Sequence, residues 1–97
     1  MSQEIYRYTF TDDNLLEDVE ASLVLALLAA ETLHGEAQVK LDAAHHLDLE
    51  QRACAIDAGS PVGRDLNRLF AGFLRREFGP GAFQVERLQE PAASAVA

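Results

Sequence analysis

The chain contains no tryptophan, one cysteine and three prolines, and no apolar run in it approaches the thickness of a bilayer. A lone thiol, Cys54, excludes an internal disulfide, so folding does not call for an oxidising compartment and a cytoplasmic setting is expected. The longest nearly continuous apolar stretch, Leu23 to Ala30, falls well short of the roughly 20 residues needed to span a membrane, and no membrane partner is expected. The opening Met1-Ser2-Gln3-Glu4 lacks the basic and apolar segments of a signal peptide. Basic residues are also few. Eight of them against sixteen acids leave a formal net charge of -8, which repels a phosphate backbone and argues against a nucleic-acid partner. There is no internal repeat, no phosphate loop ending in Lys and Ser or Thr, and no pattern that asks for a cofactor.

What is present is ordinary globular composition, 48% hydrophobic and 25% charged, which is enough to build one core in 97 residues. The charge is unevenly placed. The first 58 residues hold twelve acids and three bases, and the remainder holds four acids and five bases.

Ile5-Tyr6-Arg7-Tyr8-Thr9-Phe10 alternates with period two, putting Tyr6, Tyr8 and Phe10 on one face of a strand. Asn14, followed three residues later by Glu17, predicts a capping box. From there Leu16, Val19, Leu23, Leu27, Ala30 and Leu33 recur at helical spacing until Gly35 supplies a stop. Ala37 to Ala43 alternates again, with Val39, Leu41 and Ala43 inward, and Arg52 to Ala58 carries Cys54 and Ile56 at matching parity. These predict a hairpin, with Leu47 to Gln51 as its connection. Ser60 and Pro61 open a second helix as cap and first-turn residue. Its inner face is Val62, Leu66, Leu69, Phe70, Phe73 and Phe78, and Gly79-Pro80-Gly81 ends it. Phe83 and Val85 begin a last strand, with Gln84 and Glu86 on its wet side.

The order is therefore βαββαβ: an α+β, two-layer split βαβ sandwich that resembles ferredoxin-like domains. Residues 1–90 are expected to form a single α+β domain, with 91–97 as a frayed tail. That topology serves many unrelated functions and assigns no site. On this assignment the uncovered sheet face carries Arg7, Thr9, Lys40, Asp42, Asp57, Gln84 and Glu86, a mixed-charge surface suited to water.

Function has several places to reside. On the first helix, Val24 and Leu28, with Leu25 beside them, interrupt the side that Glu17, Glu20 and Glu31 mark as wet. On the second helix, Arg64, Arg68, Arg75 and Arg76 give a basic exterior able to receive an acidic surface, including the Glu-rich first helix of another copy. Together Val24, Leu25, Leu28, Glu31, Arg68 and Arg75 predict an interface, either of a homodimer or with one protein partner. The turn Asp57 to Arg64 offers helix N-terminal amides to a small anion, with Asp57, Ser60, Gly63 and Arg64 as its candidate residues.

His45, His46 and Asp48 are the remaining cluster, a weak metal alternative because adjacent strand residues point to opposite faces. His34, just before Gly35, suits the negative end of the first helix. Cys54 reads as a buried small hydrophobe, with a thiol pairing to His45 as the catalytic alternative, and Asp42 with Asp57 as an acid-base one. The leading expectation is a small cytoplasmic interaction or regulatory module that self-associates. An anion-binding sensor and a small acid-base or thiol hydrolase stand behind it.

Overall fold

The computed structural model describes residues 4–11 and 16–88. Strand β1 (Ile5–Phe10) is followed by α1 (Leu16–His34), a short α2 (Glu36–Asp42), β2 (His45–Asp48), β3 (Ala53–Asp57), α3 (Pro61–Phe78) and β4 (Phe83–Leu88). The sheet is antiparallel in the order β2-β3-β1-β4, so each βαβ unit has a foreign strand between its two strands. This is the split βαβ sandwich expected from the pattern, consistent with a ferredoxin-like arrangement. The Asn14 cap and the 91–97 tail lie outside the described residues.

The core forms where the helices cover one face of the sheet. Tyr8, Phe10, Cys54 and Ile56 from the strands meet Val19, Leu23 and Ala26 from α1 and Leu66, Phe70 and Leu74 from α3. Tyr8 and Phe70 pack edge to face at a centroid distance of 4.9 Å, an arrangement favoured by the ring quadrupoles. A second, smaller cluster of Ala30, Val39 and Val62 seats α2 against both long helices.

The helix ends follow local chemistry. Ser60 Oγ accepts from the Gly63 N–H at 2.9 Å, which caps α3 with Pro61 in its first turn. Gly35 and Gly79 stand at the ends of α1 and α3 with φ of 87° and 81°, a region in which other residues meet a steric penalty.

The expected hairpin is displaced. Residues 37–43 do not form a strand: Glu36–Asp42 is a helix, and the strand that pairs with β3 is His45–Asp48. The sequence A-Q-V-K-L-D-A alternates, but it also places good helix formers at i,i+4. Lys40 Nζ lies 2.9 Å from Glu36 Oε1, and Gln38 Nε2 donates to Asp42 Oδ2 at 2.6 Å. Only Val39 is buried in this helix, and Leu41, expected inward, is 79% exposed. Lys40 and Asp42 are accordingly absent from the open sheet face, which takes His46 and Asp48 instead.

Two further burial expectations change. Leu33 is exposed at the end of α1, and Val85 is exposed on β4 although it lies opposite Tyr8. The β4 edge extends past α3, leaving Val85 on a shallow cleft with Ala71, Arg75, Pro80 and Phe83.

Candidate interaction surface

The α1 helix is apolar nearly all round, and a helix of that kind presents oily surface wherever its own fold does not cover it. Val19, Ser22, Leu23, Ala26 and Ala30 face the core. On the opposite side Val24, Leu25 and Leu28 are 50%, 56% and 52% exposed. Ala21 continues this face one turn earlier, and Thr32 one turn later. The Thr32 hydroxyl donates back to the Leu28 carbonyl at 3.3 Å, so its polar group is occupied within the helix. Exposed Glu17, Asp18 and Glu20 border the patch at its N-terminal end, and half-buried Glu31 borders the other end.

Beside the patch, α1 and α3 enclose an open groove of about 250 Å³ lined by Asp18, Ala21, Ser22, Leu25, Phe73, Arg76 and Glu77. The two helices run antiparallel. His34 at the end of α1 meets Asp65 near the start of α3, Nε2 to Oδ2 2.8 Å, while Asp18 shares the groove with Arg76 and Glu77. The partner that His34 finds is thus a carboxylate on the neighbouring helix, in addition to its place at a helix terminus.

The exterior of α3 carries Arg64, Arg68, Arg75 and Arg76, all exposed. Among the described residues none of these four forms an ion pair, and neither do Glu17, Asp18, Glu20 and Glu31 on α1. The interface residues singled out in the sequence are thus brought onto one side of the molecule. The helix layer presents an apolar ridge with an acidic border next to a basic ridge.

The turn before α3 uses its polar groups internally. Asp57 Oδ1 accepts from the Gly59 N–H at 2.8 Å, Ser60 Oγ accepts from Gly63, and the Arg64 N–H donates to the Ser60 carbonyl at 2.8 Å. Gly63, expected to leave room for an anion, leaves none. A Cβ there would fall 2.0 Å from the Asp57 carbonyl oxygen, so the space is filled by the chain itself. Arg64 points outward with the other arginines of α3.

His45 pairs with Ile56 and His46 with Ala55, so the two imidazoles stand on opposite faces of the sheet. His46 and Asp48 share the open face, on a shallow cleft of about 130 Å³ floored by Ala53 and Ala55. Arg7 reaches across this cleft and donates from Nη2 to Gln51 Oε1 at 2.9 Å. The Asp48 carboxylate accepts from the backbone N–H groups of Glu50 and Gln51, which ties off the β2–β3 loop. Among the described residues no three His, Cys, Asp or Glu side chains are gathered closely enough to hold a metal ion.

Cys54 is fully buried on the helix side, opposite Leu47, and burial pushes its thiol up to about 12. It is held as the neutral thiol and not as a thiolate nucleophile. Asp42, on α2, is remote in the chain's layers from the open face that holds Asp57, so the acid-base pair expected on one sheet surface does not form. Among the described residues no helix is long and apolar enough to cross a membrane.

The Tyr8 hydroxyl, in the core, donates to Asn67 Oδ1 at 2.5 Å. Desolvation first, then the neighbouring Cys54 and Tyr6, raise this phenol well above its usual range. The sequence reading missed this bond, although a polar tip on an otherwise inward tyrosine is the signal for it. No protein-family model matches the chain, and no curated protein matches it.

Proposed function

We propose that this chain is a small interaction module, regulatory rather than catalytic, which self-associates as a homodimer through the outer face of α1. The observation that carries this reading is the row of half-exposed Val24, Leu25 and Leu28 on a helix whose opposite side is already committed to the core. Complete burial of an aliphatic side chain is worth about 1.5–3 kcal/mol, and these three, about half exposed, would each gain about half of that on association. Carboxylates at the patch border and guanidinium groups on the neighbouring helix, which form no ion pair among the described residues, supply orientation, because rim charges select register more than they add affinity. The setting we propose is cytoplasmic, in keeping with a single thiol that is buried and reduced.

Sedimentation of the wild-type chain across the micromolar range, alongside Val24→Asp and Leu28→Asp, tests this. The wild type is expected to sediment as a dimer and both variants as folded monomers with unchanged circular dichroism. A monomeric wild type at every concentration, or folded variants that keep the dimer, rejects the reading.

A further inference from the structure

One residue on the helix layer has no explanation within a single copy. Gly72 lies in the middle of α3 with ordinary helical backbone, and a Cβ added there would meet nothing within 4 Å. Glycine is a poor residue for a helix interior, where alanine costs less backbone entropy. Gly63 on the same helix is required by the Asp57 carbonyl pressed against it, and among the described residues nothing presses on Gly72. It falls in the i,i+4 row Arg64, Arg68, Gly72, Arg76, so it forms a gap one side chain wide in a basic ridge.

Resting on the self-association proposed above, we infer that a second copy of this chain fills the gap, α1 of each protomer lying on α3 of the other with Leu25 seated at the partner's Gly72. Symmetry and charge select this arrangement. When two helix layers meet face to face, a two-fold axis across the helices stacks α1 on α1 and α3 on α3, and sets the arginine row of one α3 against the arginine row of the other. An axis along the helices places α1 on α3 twice, in two equivalent contacts.

Rotation about that second axis leaves height along the helices unchanged, so levels within one copy carry over to the pair. Leu25 shares the groove with Phe73, the residue that follows Gly72 on α3. Asp18 lines the same groove as Arg76. His34 is level with Asp65, which puts Glu31, one turn earlier, near Arg68. Asp18 and Glu31 then each come near an arginine that, among the described residues, forms no ion pair in its own copy.

The test uses the full chain in sedimentation equilibrium with Gly72→Gln, Arg68→Glu, and Arg68→Glu combined with Glu31→Lys. Gly72→Gln is expected to remain folded, since the site is open, and to raise the dimer dissociation constant by about tenfold or more, equivalent to about 1.4 kcal/mol. Arg68→Glu is expected to weaken the dimer, and Glu31→Lys in the same chain to restore it. If Val24→Asp abolishes the dimer while Gly72→Gln and the charge reversal leave it intact, this arrangement is overturned and self-association stands. A wild type that is monomeric throughout overturns both.

Discussion

The Cα of Gly63 faces the backbone carbonyl of Asp57 so closely that a methyl group on it would lie 2.0 Å from the oxygen. This contact sets how near the first turn of α3 comes to the end of β3, and thus the seating of Val62 and Leu66 in the core. Gly63→Ala is expected to cost about 3 kcal/mol, at the upper end of the usual range for overpacking, because the obstacle is backbone and not a movable side chain. Gly72→Ala, in open space on the same helix, is expected to stabilise the folded chain by up to about 1 kcal/mol. Urea unfolding of the two variants, each in a Val24→Asp background that removes association, gives the comparison. Equal effects of the two substitutions contradict the assignment of these glycines.

Removing the Tyr8 hydroxyl leaves the Asn67 side-chain oxygen without its donor in a partly buried place. Tyr8→Phe is therefore expected to lower stability by about 1–2 kcal/mol with little change in the packing of the ring against Phe70. A thermal or chemical melt that matches the wild type counts against an energetic role for this bond.

The cap on α3 is a third test. Ser60→Ala removes the acceptor for the Gly63 N–H and is expected to cost about 1 kcal/mol, whereas Ser60→Asp is expected to retain most of that stability. Inorganic phosphate is expected to leave the Gly59, Gly63 and Arg64 amide resonances in place, because those N–H groups are already engaged. Localised, saturable shifts there overturn the structural assignment of the turn.

Alkaline pH supplies a fourth. The Cys54 thiol is raised from an ordinary value of 9.0 to about 12 in the folded chain, and Tyr8 is raised as well, so the folded state holds protons that the unfolded state releases. Their stabilising effect is whole below about pH 9 and is lost progressively as pH climbs from about 9 through about 12. Unfolding free energies are expected to fall over that window, with a shallower slope in Cys54→Ala. Thiol reagents at neutral pH are expected to modify Cys54 only as fast as the core opens. Rapid stoichiometric labelling of the native chain is the opposite result.

Much of this fold was legible because several local signals agreed. In Ile5 to Phe10 the alternation, the aromatic content and the later burial of Tyr8 and Phe10 all coincide. Ser60 with Pro61, and Gly35 and Gly79, mark helix ends that the backbone uses as expected. The failure at residues 37–43 has a physical origin. A seven-residue stretch is too short for alternation to be told from helical spacing, and the outcome depended on the contact of Val39 with Ala30 and Val62, which lie on other helices. Once that stretch became α2, the strand role passed to His45–Asp48, whose polar residues suit a short edge strand. The exposed Val24, Leu25 and Leu28 were visible in the sequence because they interrupt a row of glutamates. Gly72 was not, since its significance is an empty volume that only the assembled helix pair defines.

The placement of β1 between β3 and β4 also bears on how the chain is made. Its hydrogen-bonding partners are drawn from distant parts of the sequence, Ile5 pairing with Asp57 on one edge and Leu88 on the other. Of the four described strands, the first in the chain is then the one that waits longest for a partner, and sheet closure is delayed until β4 has been made. During that interval Phe10 is without the Phe83 ring beside which it packs in the finished fold.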